Sequence, residues 1–242
     1  MHSWRDPEAR YGLRLTLFAV ALALVTMPFA LLLAAARRDG LEWDVETGRA
    51  VYGFVRRHGA LRTAATAVTT LGSPLVLYPV GIAATAYVLR RGRRRLALFV
   101  ALTGLGGGAL NTAVKLLVDR PRPVFGVPLA TALGDSFPSG HTMGSTAVYG
   151  AVLLAFLPAL PRGRRRAAVA AAVLLVLAVA ASRVTLGVHY VSDVAAGLVL
   201  GLAWLCASTA AFRIWRTERG VPPAPVSEGA EPEAGPVLSG SA

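Results

Sequence analysis

Charge is scarce in this sequence. Only 16% of its 242 residues are Asp, Glu, Lys or Arg, against about 25% in ordinary soluble domains. Hydrophobic residues make up 55%, and they come in long blocks rather than singly. A soluble globule is therefore a poor fit, and burial against lipid and neighbouring helices is expected instead. Acidic residues are the scarcer sign, 13 against 25 Lys and Arg, for a net charge of +12. Such an excess can mark a nucleic-acid partner. Here the arginines bunch between apolar blocks, where they fix membrane orientation, so no nucleic-acid partner is expected. Cysteine is nearly absent: Cys206 alone excludes a disulfide within one chain and argues against a Cys-based metal site. Set in an apolar block, Cys206 reads as a small buried hydrophobe. There is no internal repeat.

What is present is a series of bilayer-length blocks. The first, residues 15–35, carries no charge and has the roughly 20 residues of a spanning helix. A signal-peptide core is shorter, about 7–15 residues, so this block is expected to remain as a first transmembrane helix. Further blocks cover residues 63–89, 96–118, 142–160, 167–182 and 189–212. The second contains Gly72, Pro74 and Pro79, which predict a kink or a late start. In the third, Gly104, Gly106, Gly107 and Gly108 predict close helix approach, since a phosphate-cradling glycine loop needs a preceding strand. Residues 43–58 fit either an amphipathic interfacial helix or an ordinary loop. Residues 1–219 thus read as one all-α, polytopic membrane domain, a bundle of about six transmembrane helices. The Pro-, Gly-, Ala- and Glu-rich stretch 220–242 reads as a disordered cytoplasmic tail.

Arginine clusters at Arg90–Arg95 and Arg162–Arg166, with Arg213, Arg216 and Arg219 after the last block and Arg5, Arg10 and Arg14 before the first, predict cytoplasmic loops and both termini inside. The arginines of residues 37–62 dissent. On this topology the loops after the third and fifth helices face outward, and the polar motifs lie there.

Three motifs stand at those outer helix ends. The first is Lys115, then Arg122-Pro123, in the run KLLVDRPRP. A lysine near a helix end can be a snorkelling anchor, so this motif alone is ambiguous. The second is Pro138-Ser139-Gly140-His141 at a helix start, where unpaired N–H groups and the helix dipole favour an anion. The third is Ser182-Arg183 followed by His189 and Asp193, the last two sharing a helical face. An aspartate that takes the Nδ1 proton of a histidine leaves Nε2 free as a nucleophile, and such residues near a bilayer are functional by default. Together these supply a phosphoryl-transfer site with built-in cations. His189 attacks phosphorus, and His141 protonates the leaving oxygen and then activates water. No metal or other cofactor is needed. Arg120 can assist a diphosphate. His2 and His58 have no partner at a suitable spacing.

From Lys115 to Asp193 the chain resembles the type-2 phosphatidic acid phosphatase superfamily, whose three motifs have this composition, spacing and order. The resemblance implies a membrane lipid phosphatase. His189 would form a phosphohistidine, Asp193 would orient it, and His141 would be acid and base. Lys115, Arg122, Ser139, Gly140 and Arg183 would bind phosphate. The substrate would be a lipid phosphomonoester or diphosphate in the outer leaflet: a polyprenyl diphosphate such as undecaprenyl diphosphate, phosphatidic acid, or phosphatidylglycerol phosphate. A lipid phosphotransferase using the same phosphohistidine, or a non-enzymatic membrane carrier, are the alternatives. Oligomeric state is not legible in the sequence.

Overall fold

A computed structural model describes residues 29–34, 41–127, 129–218 and 225–240. Every regular element among them is helical. In chain order they are α1 (Glu42–Arg56), α2 (Gly59–Leu71), α3 (Pro74–Arg90), α4 (Arg94–Val118), α5 (Gly140–Phe156), α6 (Arg162–Thr185), α7 (Val191–Glu218) and the short α8 (Gly235–Ser239). Among the described residues, five helical stretches are long and apolar enough to cross a membrane: Gly59–Arg90, Arg94–Val118, Gly140–Ala159, Arg162–Thr185 and Val191–Ile214. The first expected span, 15–35, lies mostly outside the described residues. Its portion 29–34 is helical and packs Phe29, Leu32 and Leu33 on Phe137 and Ala196.

The two ambiguous regions resolve clearly. Residues 42–56 form a helix with acids in its first turn (Glu42, Asp44) and Arg56 in its last, which matches the helix dipole. Asp44, Gly48, Tyr52 and Val55 make its buried stripe. The second apolar block is two helices rather than one. Ser73 is extended and Pro74 opens α3, because a proline has no N–H to continue the α2 ladder. The Leu71 carbonyl freed at the break accepts from the Tyr149 hydroxyl at 2.6 Å.

α5 is the hub, packed against α3, α4, α6 and α7. Its approach to α7 depends on missing side chains: a Cβ at Gly197 would stand 2.8 Å from the Ser139 carbonyl oxygen, and one at Gly201 2.8 Å from Thr146 Cβ. The α4 glycines divide their work. Gly106 and Gly107 seat the Trp204 ring, as close helix approach predicts, whereas Gly108 faces open space. Cys206, expected to be buried, is exposed on α7; within a spanning segment that face meets hydrocarbon, which suits a thiol as well as a core does.

The arginine-rich helix ends gather at the end of the bundle away from the three motifs. The stretch expected to be disordered is ordered there over 225–240. Ala230 N–H donates to the Leu154 carbonyl (2.8 Å) and Tyr87 Oη to the Leu238 carbonyl (2.7 Å). Arg93 pairs with Glu231 at 3.3 Å, and Arg216 binds Glu233 and the Ala230 carbonyl. Ala230, Ala234 and Leu238 join the core cluster of α3, α4 and α5. Composition alone missed this because the few apolar residues of the tail land on a core the bundle already provides.

Candidate active site

Four helix ends and one loop meet at the other end of the bundle. Lys115 comes from the last turn of α4, Gly140 and His141 open α5, Arg183 lies in the last turn of α6, and Asp193 in the first turn of α7. Arg122 is in the α4–α5 loop and His189 just precedes α7. Lys115, Arg122, Gly140, His141, Arg183 and His189 all line one cavity of about 710 Å³. The sequence motifs, spread over 79 positions from Lys115 to Asp193, are thus a single site.

Arg122 is held on all sides. Its Nε donates to the Gly134 carbonyl (2.8 Å), Nη2 to the Leu133 carbonyl (2.9 Å) and Nη1 to the Val188 carbonyl (2.9 Å). Nη1 also lies 3.0 Å from His189 Nε2. A guanidinium only donates, so that ring nitrogen presents its lone pair. His189 Nδ1 lies 3.3 Å from Asp193 Oδ2, which fits a proton on Nδ1. Burial pushes His189 down to about 4; Arg122 and Arg183 add to this, while Asp193 opposes it through its hydrogen bond and charge. The imidazole is therefore neutral at pH 7, as a nitrogen nucleophile must be. Burial likewise lowers Arg122 from its ordinary value, against the pull of Asp193 and Asp135.

Arg183 is buried, with Nη1 donating to Thr69 Oγ1 (2.7 Å), and its Nε is buried without a hydrogen-bond partner. The Arg183 side chain also lines the cavity, where its positive charge favours an anion. Lys115 Nζ donates to the Asp135 carbonyl.

Two residues read as phosphate contacts, Ser139 and Arg120, are not among those lining the cavity. Ser139 is fully buried beneath the close α5–α7 contact; its N–H donates to the Asp193 carbonyl (3.0 Å) and its Oγ accepts from Thr142 Oγ1 (3.1 Å). It ties the start of α5 to the start of α7. Arg120, suggested as a diphosphate contact, is absent from the cavity lining. It is buried behind His189, with Nη1 2.6 Å from Asp193 Oδ1 and Nη2 3.2 Å from Asp44 Oδ2, because two carboxylates outcompete an open cavity for its charge. Asp44, Tyr190 and Ser192 also belong to this layer. Spacing gave no signal for Asp44, which shares its helix with the charged Glu42, Glu46, Arg49 and Arg56. His58, exposed and stacked on Phe54, lies apart from the site.

Away from the cations, the cavity runs along an apolar wall of Leu75, Leu77, Tyr78, Gly104, Gly108 and Val148.

Comparison with known proteins agrees with this geometry. The family model for the PAP2 superfamily matches residues 95–216. The chain is 33% identical over 177 residues to phosphatidylglycerophosphatase B of Bacillus subtilis, covering 72% of this chain and 86% of that protein. It is 27% identical to the undecaprenyl-diphosphatase BcrC of the same organism, covering 66% and 79%. Decaprenylphosphoryl-5-phosphoribose phosphatase of Mycobacterium tuberculosis is 38% identical over 112 residues, 45% of this chain and 57% of that one. A crystal structure of the transmembrane PAP2-type phosphatidylglycerolphosphate phosphatase from Bacillus subtilis superposes with a TM-score of 0.71 at 26% identity, over 83% of this chain and 96% of that one. With its motifs joined in one cavity, its helices of membrane length and these relatives, the chain belongs to the PAP2 superfamily as a multi-pass membrane enzyme.

Proposed function

We propose that the protein is a lipid phosphatase that removes phosphate from a lipid phosphomonoester or diphosphate through a phosphohistidine on His189, without a metal. One observation carries this reading: the cation-lined end of the cavity is continuous with an apolar wall, so a phosphate and the start of a lipid chain fit together. The substrate phosphate takes charge-assisted bonds from Lys115, Arg122 and Arg183, and the N–H groups at the start of α5 add the pull of a helix N-terminus.

His189 Nε2 forms a bond to phosphorus as the phosphorus–oxygen bond to the lipid breaks. The proton of His141 goes to the leaving oxygen. His141 then takes a proton from water, whose oxygen displaces His189 and yields inorganic phosphate. The imidazole is positively charged only between the two steps, and Asp193 stabilises it then. The same atoms would serve a phosphotransferase if an alcohol replaced water. A carrier is disfavoured because the charges converge on one cavity at one bundle end rather than lining a path.

With the arginine-rich end and the ordered tail in the cytoplasm, the site faces outward and meets outer-leaflet lipid. The named activities of the relatives make phosphatidylglycerol phosphate and polyprenyl diphosphate the first substrates to try. Phosphate release from these two and from phosphatidic acid, with EDTA present and a His189→Ala control, tests the reading. Release that survives EDTA and needs His189 supports it; release abolished by EDTA overturns the metal-free mechanism.

A further inference from the structure

Asp44 lies outside the three motifs and outside the residues matched by the family model, yet it is fully buried. Its Oδ1 accepts from Ser192 N–H at 3.1 Å, and its Oδ2 accepts from Ser192 Oγ and from Arg120 Nη2 at 3.2 Å. Arg120 Nη1 reaches Ser192 Oγ (2.7 Å) and Asp193 Oδ1 (2.6 Å), while its guanidinium carbon stands 4.2 Å from the Tyr190 ring centroid. Asp193 completes the line, its Oδ2 facing His189 Nδ1 (3.3 Å) and accepting from Tyr190 N–H (2.9 Å). A helix on the rim of the bundle is thus joined to the attacking histidine through alternating charges.

The charges matter as much as the geometry. Asp193 and Arg120 alone would cancel, leaving a neutral pair behind a ring that becomes cationic when its Nε2 bonds phosphorus. Asp44 restores one net negative charge to that buried group, where the low dielectric makes it count. A buried carboxylate with three donors is expensive to assemble, and a rim helix needs no such anchor merely to pack Tyr52 and Val55.

We propose that Asp44 and Arg120 are positioning residues for the reaction: Asp44 holds Arg120, Arg120 fixes Asp193 against His189, and the surplus negative charge stabilises the phosphorylated imidazole. This rests on the phosphohistidine reading. The other charged and titratable groups around His189 are Arg122, Arg183, Lys115, His141 and Tyr190, all of which the test leaves in place.

The test compares the purified full chain with Asp44→Asn, Ser192→Ala and His189→Ala variants, on phosphatidylglycerol phosphate in detergent micelles. Asp44→Asn is expected to lose about 10- to 100-fold in kcat, with KM within about two-fold of wild type. The acid limb of its kcat/KM profile moves down by about one pH unit, because removing a negative charge makes His189 harder to protonate. Ser192→Ala keeps every charge, so it loses about three-fold in kcat, a small positional loss, with the limb in place. Unchanged kcat in folded Asp44→Asn, a loss confined to KM, or an unmoved limb would each overturn the proposal. Should Asp44→Asn not fold, unchanged kcat in Ser192→Ala overturns it and a kcat-only loss supports it. Where phosphatidylglycerol phosphate is not turned over, the same comparison runs on polyprenyl diphosphate or phosphatidic acid; wild type inactive on all three, or an active His189→Ala enzyme, removes the phosphohistidine reading, and this inference with it.

Discussion

Gly197→Ala adds one methyl group at the tightest point between α5 and α7. The new Cβ would lie 2.8 Å from the Ser139 carbonyl oxygen, 3.1 Å from Thr142 Cβ and 3.4 Å from Met143 N. Two of these neighbours are backbone and the third is a fully buried side chain, so none can rotate away. Ordinary carbon–oxygen contact needs roughly 3.4 Å, which requires the helices to part by about 0.6 Å. Overpacking of this kind costs about 1–3 kcal/mol. The same displacement carries Asp193, and with it His189, away from His141 at the start of α5. A 1 Å misplacement can cost about 100-fold in rate, so a loss on the order of 10-fold in kcat is expected. The assay is phosphate release beside a thermal melt in detergent, with Gly53→Ala as the control. Nothing lies within 4 Å of a Cβ at Gly53, and alanine there gains helix propensity of about 1 kcal/mol. A Gly197→Ala protein with wild-type kcat and melting temperature would refute the reasoning.

Arg122→Lys keeps the charge but replaces a fork that binds three carbonyls and His189 with a single flexible ammonium; kcat/KM should fall by about 100-fold or more, and a loss under about three-fold counts against Arg122 as a phosphate clamp. Because folded His189 titrates at about 4 and an unfolded one near 6.5, the unfolded chain binds the extra proton between those values. His189 therefore lowers stability as pH falls from 6.5 to about 4, by on the order of 3 kcal/mol, and has no such effect above 6.5. A His189→Gln protein should accordingly lose less melting temperature than wild type between pH 7 and pH 4.5, and equal losses would contradict a buried neutral imidazole. Deleting residues 225–242 removes the partners of Arg93 and Arg216 and uncovers the core at Leu238. The melt should weaken by about 3 kcal/mol from lost apolar burial while kcat stays unchanged; a kcat loss without a stability loss would contradict the tail's purely structural role.

Much of the site was legible because its chemistry is carried by residue types that a bilayer-facing helix otherwise avoids. Lys115, Arg183, His189 and Asp193 stand out for that reason, and helix periodicity was enough to put the last two on one face. Ser139 is less legible, because a serine at a helix start suits anion binding and buried tethering equally, and its burial beneath Gly197 depends on how α5 meets α7. Arg120 and Asp44 show the limit more plainly. Neither spacing nor composition reveals that residues 76 positions apart form one ion pair, since that depends on how α1 folds back against the start of α7. The tail failed for a related reason: its poverty in large apolar residues forbids a core of its own, but not a place on someone else's.

The most direct test of the central claim is to trap the phosphorylated enzyme. Wild-type protein quenched during turnover of a phosphate-labelled lipid should carry label on His189, stable to alkali and lost in acid, and the His189→Ala protein should carry none. Turnover at the wild-type rate with no label on His189 would contradict the mechanism.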